Sequence, residues 1–202
     1  ARVGNTGQLA ADQGNVLLGA GSEVLVDFGG AVKLQVKKGA LDALVDNGGA
    51  IRADGGTVLL TAKSASELSG SVINNSGIVQ ARTLATGAQG QILLLGDMQT
   101  GTLRAGGTLD ASAPKGGDGG AIETSAAHVE NAAGLVVDAG AAKGKGGQWL
   151  IDPYDYTINA AAATTIVNSL NQGTSVTVST QASDPTQGGA AAGGNEIGRA
   201  HV

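Results

Sequence analysis

Gly49-Ala50-Ile51-Arg52-Ala53, Gly77-Ile78-Val79-Gln80-Ala81, Gly107-Thr108-Leu109-Asp110-Ala111 and Gly134-Leu135-Val136-Val137-Asp138-Ala139 are four copies of one short text: glycine, aliphatic residues, alanine. Their alanines stand 28, 30 and 28 positions apart. A second text alternates with the first: Gly55-Gly56-Thr57-Val58-Leu59-Leu60, Gly90-Gln91-Ile92-Leu93-Leu94, Gly119-Gly120-Ala121-Ile122-Glu123-Thr124 and Gly146-Gly147-Gln148-Trp149-Leu150. Its spacing is looser, 34, 30 and 27 positions from Gly56 to Gly90, Gly120 and Gly147. A period in this range marks a solenoid, in which each repeat is too small to bury its apolar face alone and does so against the next.

The apolar runs are short, bounded by Gly, Asn or Asp, and many alternate polar with apolar side chains, as in Val32-Lys33-Leu34-Gln35-Val36. Those are strands. Stacking equivalent strands from successive repeats predicts an all-β chain folded as a parallel β-helix, with Asn74-Asn75 beside Gly77 as a stacked-amide corner. An antiparallel sandwich is the alternative that the same strand lengths permit; the regular period favours the helix.

Composition agrees. Aromatic residues are 2% of the chain, with one Phe, one Trp and two Tyr, so Val, Ile, Leu and Ala must fill the core, which suits a narrow stack. Glycine, 35 of 202 residues, is scattered between the runs and implies many turns. A net charge of −5 with only 14% charged residues leaves no basic stripe for phosphates, so no nucleic-acid partner is expected. The absence of cysteine removes disulfides and thiolate metal sites, and fits a chain that crosses an envelope unfolded. With no apolar window of about 18 residues, no membrane insertion is expected.

Residues 1–148 read as β-helix repeats and 149–181 as a final rung, a short helix and a strand. Asn159 caps that helix, Ala163, Ile166, Val167 and Leu170 form its apolar stripe, and Gly173 stops it. It lies over an open end or a side of the solenoid. The strand is Val176-Thr177-Val178-Ser179. Residues 182–196 have the composition of a low-complexity linker. Glu196-Ile197-Gly198-Arg199-Ala200-His201-Val202 is what GAGATCGGAAGAGCACACGTC encodes, a string that resembles a widely used sequencing adapter. Residues 197–202 are therefore expected to be an adapter artefact, an expectation that any other codon choice in the nucleotide record would remove. No basic n-region follows Ala1, so a secreted reading requires an internal piece of a longer chain.

Three stretches carry a family resemblance: Gly107-Thr108-Leu109-Asp110-Ala111-Ser112-Ala113-Pro114, Gly116-Gly117-Asp118-Gly119-Gly120-Ala121-Ile122-Glu123-Thr124-Ser125-Ala126 and Gly147-Gln148-Trp149-Leu150-Ile151-Asp152-Pro153-Tyr154-Asp155-Tyr156-Thr157-Ile158. Together they resemble the filamentous-haemagglutinin-like adhesins, the large exoproteins of two-partner secretion, over roughly residues 47–180. The resemblance implies a right-handed parallel β-helix, exported through the outer membrane of a Gram-negative bacterium by a dedicated transporter and secreted or displayed at the cell surface. A host-cell or surface receptor, or a glycan, would be its ligand. The family's N-terminal transport domain carries Asn-Pro motifs, and none of the three prolines here follows Asn. The parent protein, rather than this piece, would then engage the transporter.

Few residues offer chemistry. With only His128 and His201, a histidine metal site or a Ser-His-Asp triad has almost no material. Asp97, Asp110, Asp118, Glu123 and Asp138 would meet on one face if the repeats stacked in register, which keeps a polysaccharide-cleaving β-helix as the alternative function. They sit singly beside glycine at turn-like positions, however, so no catalytic residue, metal or cofactor is expected and the chain is read as a non-enzyme. Gly116-Gly117-Asp118-Gly119-Gly120 lacks the Lys-Ser/Thr ending of a phosphate loop and the tandem nonapeptides of calcium-binding repeats, and reads as a flexible corner. Thr57, Thr83, Thr108 and Thr124 are too irregular for a flat ice-binding or surface-layer array. The richest cluster is Asp152, Tyr154, Asp155 and Tyr156. It reads either as a calcium or sugar contact or as a Pro153-led turn, with Trp149 filling the core end and Tyr156 packed beside it.

Overall fold

The computed structural model describes residues 1–28, 32–65, 70–85 and 87–180. The chain winds through five three-stranded coils. The first is β1 (Arg2–Asn5), β2 (Gln8–Ala10) and β3 (Asn15–Ala20), followed by a hairpin of β4 (Glu23–Asp27) and β5 (Lys33–Lys38). Next come β6 (Ala43–Asn47), β7 (Ala50–Arg52) and β8 (Thr57–Ala62), then β9 (Ser71–Asn75), β10 (Ile78–Gln80) and β11 (Gln91–Leu95). The fourth coil is β12 (Gly101–Ala105), β13 (Thr108–Asp110) and β14 (Ala121–Ala126); the fifth is β15 (His128–Asn131), β16 (Val136–Asp138) and β17 (Gln148–Pro153). Helix α1 (Ala160–Asn171) and β18 (Ser175–Val178) close the described chain.

Three parallel sheets result. Sheet A stacks β1-β6-β9-β12-β15, sheet B stacks β2-β7-β10-β13-β16, and sheet C stacks β3-β8-β11-β14-β17-β18. The predicted β-helix is the observed architecture, and the two sequence texts are its strands in sheets B and C. The register places Val16, Val58, Ile92, Ile122, Trp149 and Val176 in one column of sheet C. In sheet B the column is Leu9, Ile51, Val79, Leu109 and Val137. Every member of these columns from the second coil to the fifth is buried. Burying each such side chain contributes about 1.5–3 kcal/mol, which no single coil could collect alone.

The alanines of the first text, Ala53, Ala81, Ala111 and Ala139, are fully buried at the corner between sheets B and C. The amide N–H of Gly56 donates to Ala53 O at 2.9 Å, Gly120 to Ala111 O at 2.8 Å and Gly147 to Ala139 O at 2.7 Å. The second, fourth and fifth coils are thus cinched where the two texts meet, and the intervening residues form a loop outside the neck. Loop length varies freely there, which is why the second text is spaced less evenly than the first. A Cβ on Gly120 would stand 2.2 Å from Gly90 O, and one on Gly147 2.0 Å from Gly120 O, so stacking itself requires glycine at these two positions.

The stacked-amide corner exists and extends beyond the two residues expected. Asn5 Nδ2 donates to Asn47 Oδ1 at 2.8 Å and Asn47 Nδ2 to Asn75 Oδ1 at 2.7 Å, while Asn75 Nδ2 ends the row on Gly106 O. Asn74 points the other way and donates to Asp46. The signal for the missed members was the Asn-X-Gly spelling of Asn5-Thr6-Gly7, Asn47-Gly48-Gly49 and Asn75-Ser76-Gly77.

Two expectations are corrected. Val32-Lys33-Leu34-Gln35-Val36 is no rung of the stack: β5 pairs antiparallel with β4. The hairpin folds back over the outer face of sheet C, where Leu34 lies against Gly19 and Val36 against Gly21. Alternation with period two cannot tell a hairpin from a rung. Helix α1 starts at Asn159, whose side chain accepts from Ala162 N at 3.0 Å, and is followed by Gly173 at φ +85°, as expected. Its buried side, however, is Ala162, Thr165 and Ser169, with Ile166 and Leu170 partly covered and Val167 exposed. The reason is the surface beneath it. Ser169 donates to Val137 O at 2.8 Å and Thr165 to Leu135 O at 3.4 Å, and Thr174 accepts from Ala139 N at 2.8 Å. These backbone groups belong to the last strand of sheet B among the described residues and its flanks, so polar side chains had to face inward.

Candidate functional site

The strand–turn boundary at Pro153 decides the fate of the Asp152, Tyr154, Asp155 and Tyr156 cluster. Strand β17 places Trp149, Ile151 and Pro153 inward and leaves Asp152 half-buried on the outer side, level with Ser125 of β14. The chain then turns over the end of sheet A. Tyr156 is packed against the core and its hydroxyl accepts from Asn131 Nδ2 at 2.7 Å, while Asp155 is exposed. Burial pushes the Tyr156 phenol up to about 12, and the bond from Asn131 pulls part of the way back. Trp149 is fully buried between Ile122 and Val176, and its indole N–H donates to Thr124 Oγ1 at 3.1 Å. Among the described residues, no group of three or more acids or histidines is placed to hold a metal.

Asp152 is nonetheless unusual. Its Oδ1 is buried without a hydrogen-bond partner, and burial, followed by the charge of Glu123, raises its carboxyl above the usual aspartate range. Glu123 accepts from Ser125 Oγ at 2.8 Å. The two acids share the outer face of sheet C.

Of the other acids, only Asp110 and Asp138 come together on one face. Asp97 caps its own turn, accepting from Gln99 N at 2.8 Å and from Ser64 Oγ at 3.3 Å. Asp118 ties the Gly116–Gly120 loop down by accepting from Lys145 N at 2.8 Å, while its carbonyl accepts from Thr83 Oγ1. Asp110 and Asp138 are register neighbours in sheet B. Arg82 donates to Asp110 at 2.8 and 2.6 Å, Ser112 holds the other oxygen of Asp110, and Asp138 accepts from Gly140 N. Hydrogen bonding to Asp110 raises the Arg82 guanidinium; burial raises Asp138. Lower in the same column stand Gln80 and Arg52, which donate to Asp54 and Asp12 beside it. This is an acidic-basic row, and bonds such as Arg82 to Asp110 and Arg52 to Asp12 tie one rung to the next. His128 is exposed at the start of β15; His201 and residues 182–202 lie outside the described residues.

Two surface grooves lie on the outer side of sheet C. One, of about 370 Å³, lies between the hairpin and the turn after β11, with Leu34, Val36, Leu59, Leu95 and Met98 among its walls. The other, of about 610 Å³, runs up the first residues of the sheet C strands, over Gln89–Gln91, Gly119–Ala121, Gly146–Gln148, Ser175 and Thr177. Gln89 Nε2 donates to Gly119 O at 3.3 Å and fixes one wall. Neither groove includes the row of Asp110 and Asp138. The glutamines of the second groove stand in the repeat text directly after Gly90 and Gly147, so their periodic placement was legible although the sequence reading did not single them out. No family model, curated protein or solved structure matches the chain.

Proposed function

We propose that this chain is part of the shaft or binding surface of a secreted bacterial adhesin of the filamentous-haemagglutinin type, exported by a two-partner outer-membrane transporter. One observation carries the reading: the coils repeat in register and outward positions recur at fixed intervals, which makes an extended display surface. The absence of cysteine and the text around Trp149 support it. The full reading frame and its neighbours test it. A long exoprotein beside an outer-membrane barrel transporter is expected, and a short complete frame with its own signal peptide would overturn the proposal. Beads coated with the purified chain should adhere to epithelial or abiotic surfaces above the level of albumin-coated beads.

The row of Arg82, Asp110 and Asp138 favours a second reading, a polysaccharide-cleaving enzyme, because it groups acids with a base on one face. Release of reducing ends from polygalacturonate, abolished by Asp110→Asn, would establish it. Its absence from a broad polysaccharide panel would remove it.

A further inference from the structure

We propose that the amide-lined groove on sheet C binds an uncharged glycan chain laid along the stacking axis; the proposal rests on the binding-surface reading above and names its ligand class. The register puts Gln91, Ala121, Gln148 and Ser175 on consecutive rungs. At about 4.8 Å per rung the row is roughly 14 Å long, and the two amides flank a notch about 10 Å across in which Ala121 leaves room. A ring of sugar dimensions fits such a notch, and a linear polymer continues from one rung to the next.

Packing explains the glycine floor of this groove but not its walls. Gln91 and Gln148 are exposed, and neither side-chain amide has a hydrogen-bond partner among the described residues. Each offers two donors and an acceptor, the complement of neighbouring hydroxyls on a sugar ring, and Ser175 and Thr177 add further hydroxyls at the upper end. No ionisable residue lines the groove, so a charged polymer would find no counter-charge there. No aromatic ring lines it either, so hydrogen bonds spread over several rungs, rather than stacking, would supply the affinity.

The test is calorimetric or NMR titration of the purified chain with cellohexaose, laminarihexaose and mannohexaose, their disaccharides, and hexagalacturonate as the charged comparison. At least one neutral hexamer should bind, more tightly than its disaccharide and than hexagalacturonate. Gln91→Ala and Gln148→Ala should each weaken it about fivefold, and the pair roughly twentyfold. Ala121→Phe, which fills the notch from outside, should abolish binding, and Gln35→Ala on the distant hairpin should leave it unchanged. The inference fails if no neutral hexamer binds, if hexagalacturonate binds as well, or if the glutamine variants bind like the parent. Bead adherence measured alongside separates the two ideas: adherence retained without glycan binding overturns this inference and leaves the adhesin reading standing.

Discussion

Replacing Asn47 by leucine probes the row of amides that turns the corner from sheet A to sheet B. Leucine keeps the approximate volume of this fully buried side chain and removes its polarity. Two hydrogen bonds disappear, from Asn5 at 2.8 Å and to Asn75 at 2.7 Å, at about 1 kcal/mol each. Asn75 Oδ1 is left buried without a donor, which costs about 1–3 kcal/mol more, whereas Asn5 Nδ2 keeps a long contact to Ala50 O at 3.4 Å. The sum is a loss of roughly 3–5 kcal/mol, read as a lower urea midpoint at unchanged slope. The buried, single Trp149 provides the fluorescence signal. A triple variant with leucine at Asn5, Asn47 and Asn75 removes both ends of each internal bond together and strands the backbone groups Gly106 O and Gly7 N at the ends of the row, so it should cost less than the three single changes added. A loss below about 0.5 kcal/mol for Asn47→Leu, or strict additivity in the triple variant, would refute the idea that the amides support one another.

Three further outcomes are expected. Gly120→Ala, with its Cβ 2.2 Å from Gly90 O, should force the rungs apart and prevent folding or lower the melting temperature by more than ten degrees, about 3 kcal/mol or more; a fully stable variant would show that the necks are not tightly stacked. Ser169→Ala strands the Val137 carbonyl and should cost about 1–2 kcal/mol by urea unfolding, while Val167→Ala on the exposed side should stay within about 0.5 kcal/mol; equal losses would misplace the helix. The raised carboxyl of Asp152 means that the folded chain holds its proton more tightly than the unfolded one. Stability from this group is therefore present below the ordinary aspartate value, about pH 4, and is lost as the pH rises through the folded value. Asp152→Asn should melt higher than the parent at pH 7 and no higher at pH 3, and the opposite sign would remove the assigned cause.

The stack was legible because its signal repeats: a single Gly-aliphatic-Ala stretch says little, whereas Ala53, Ala81, Ala111 and Ala139 at nearly equal intervals leave little but a coil. Features that occur once were harder to read. Val32–Val36 has the same alternation as a rung, and only its partner, Glu23–Asp27, makes it a hairpin. The stripe Ala163, Ile166, Val167 and Leu170 obeys helical periodicity, yet the surface it meets is a row of unpaired backbone groups, so hydroxyls prevailed over aliphatics. Asp152, Tyr154, Asp155 and Tyr156 are neighbours in sequence but divide at the end of β17. By contrast Gln91 and Gln148, far apart in the text, come together on one surface only through register.

The hydroxyls of Thr165 and Ser169 on the closing strand of sheet B have a consequence for assembly. A strand arriving from another molecule would find the carbonyls of Leu135 and Val137 already occupied and the body of α1 across its path. Templated addition of a strand is thereby blocked at that edge of sheet B.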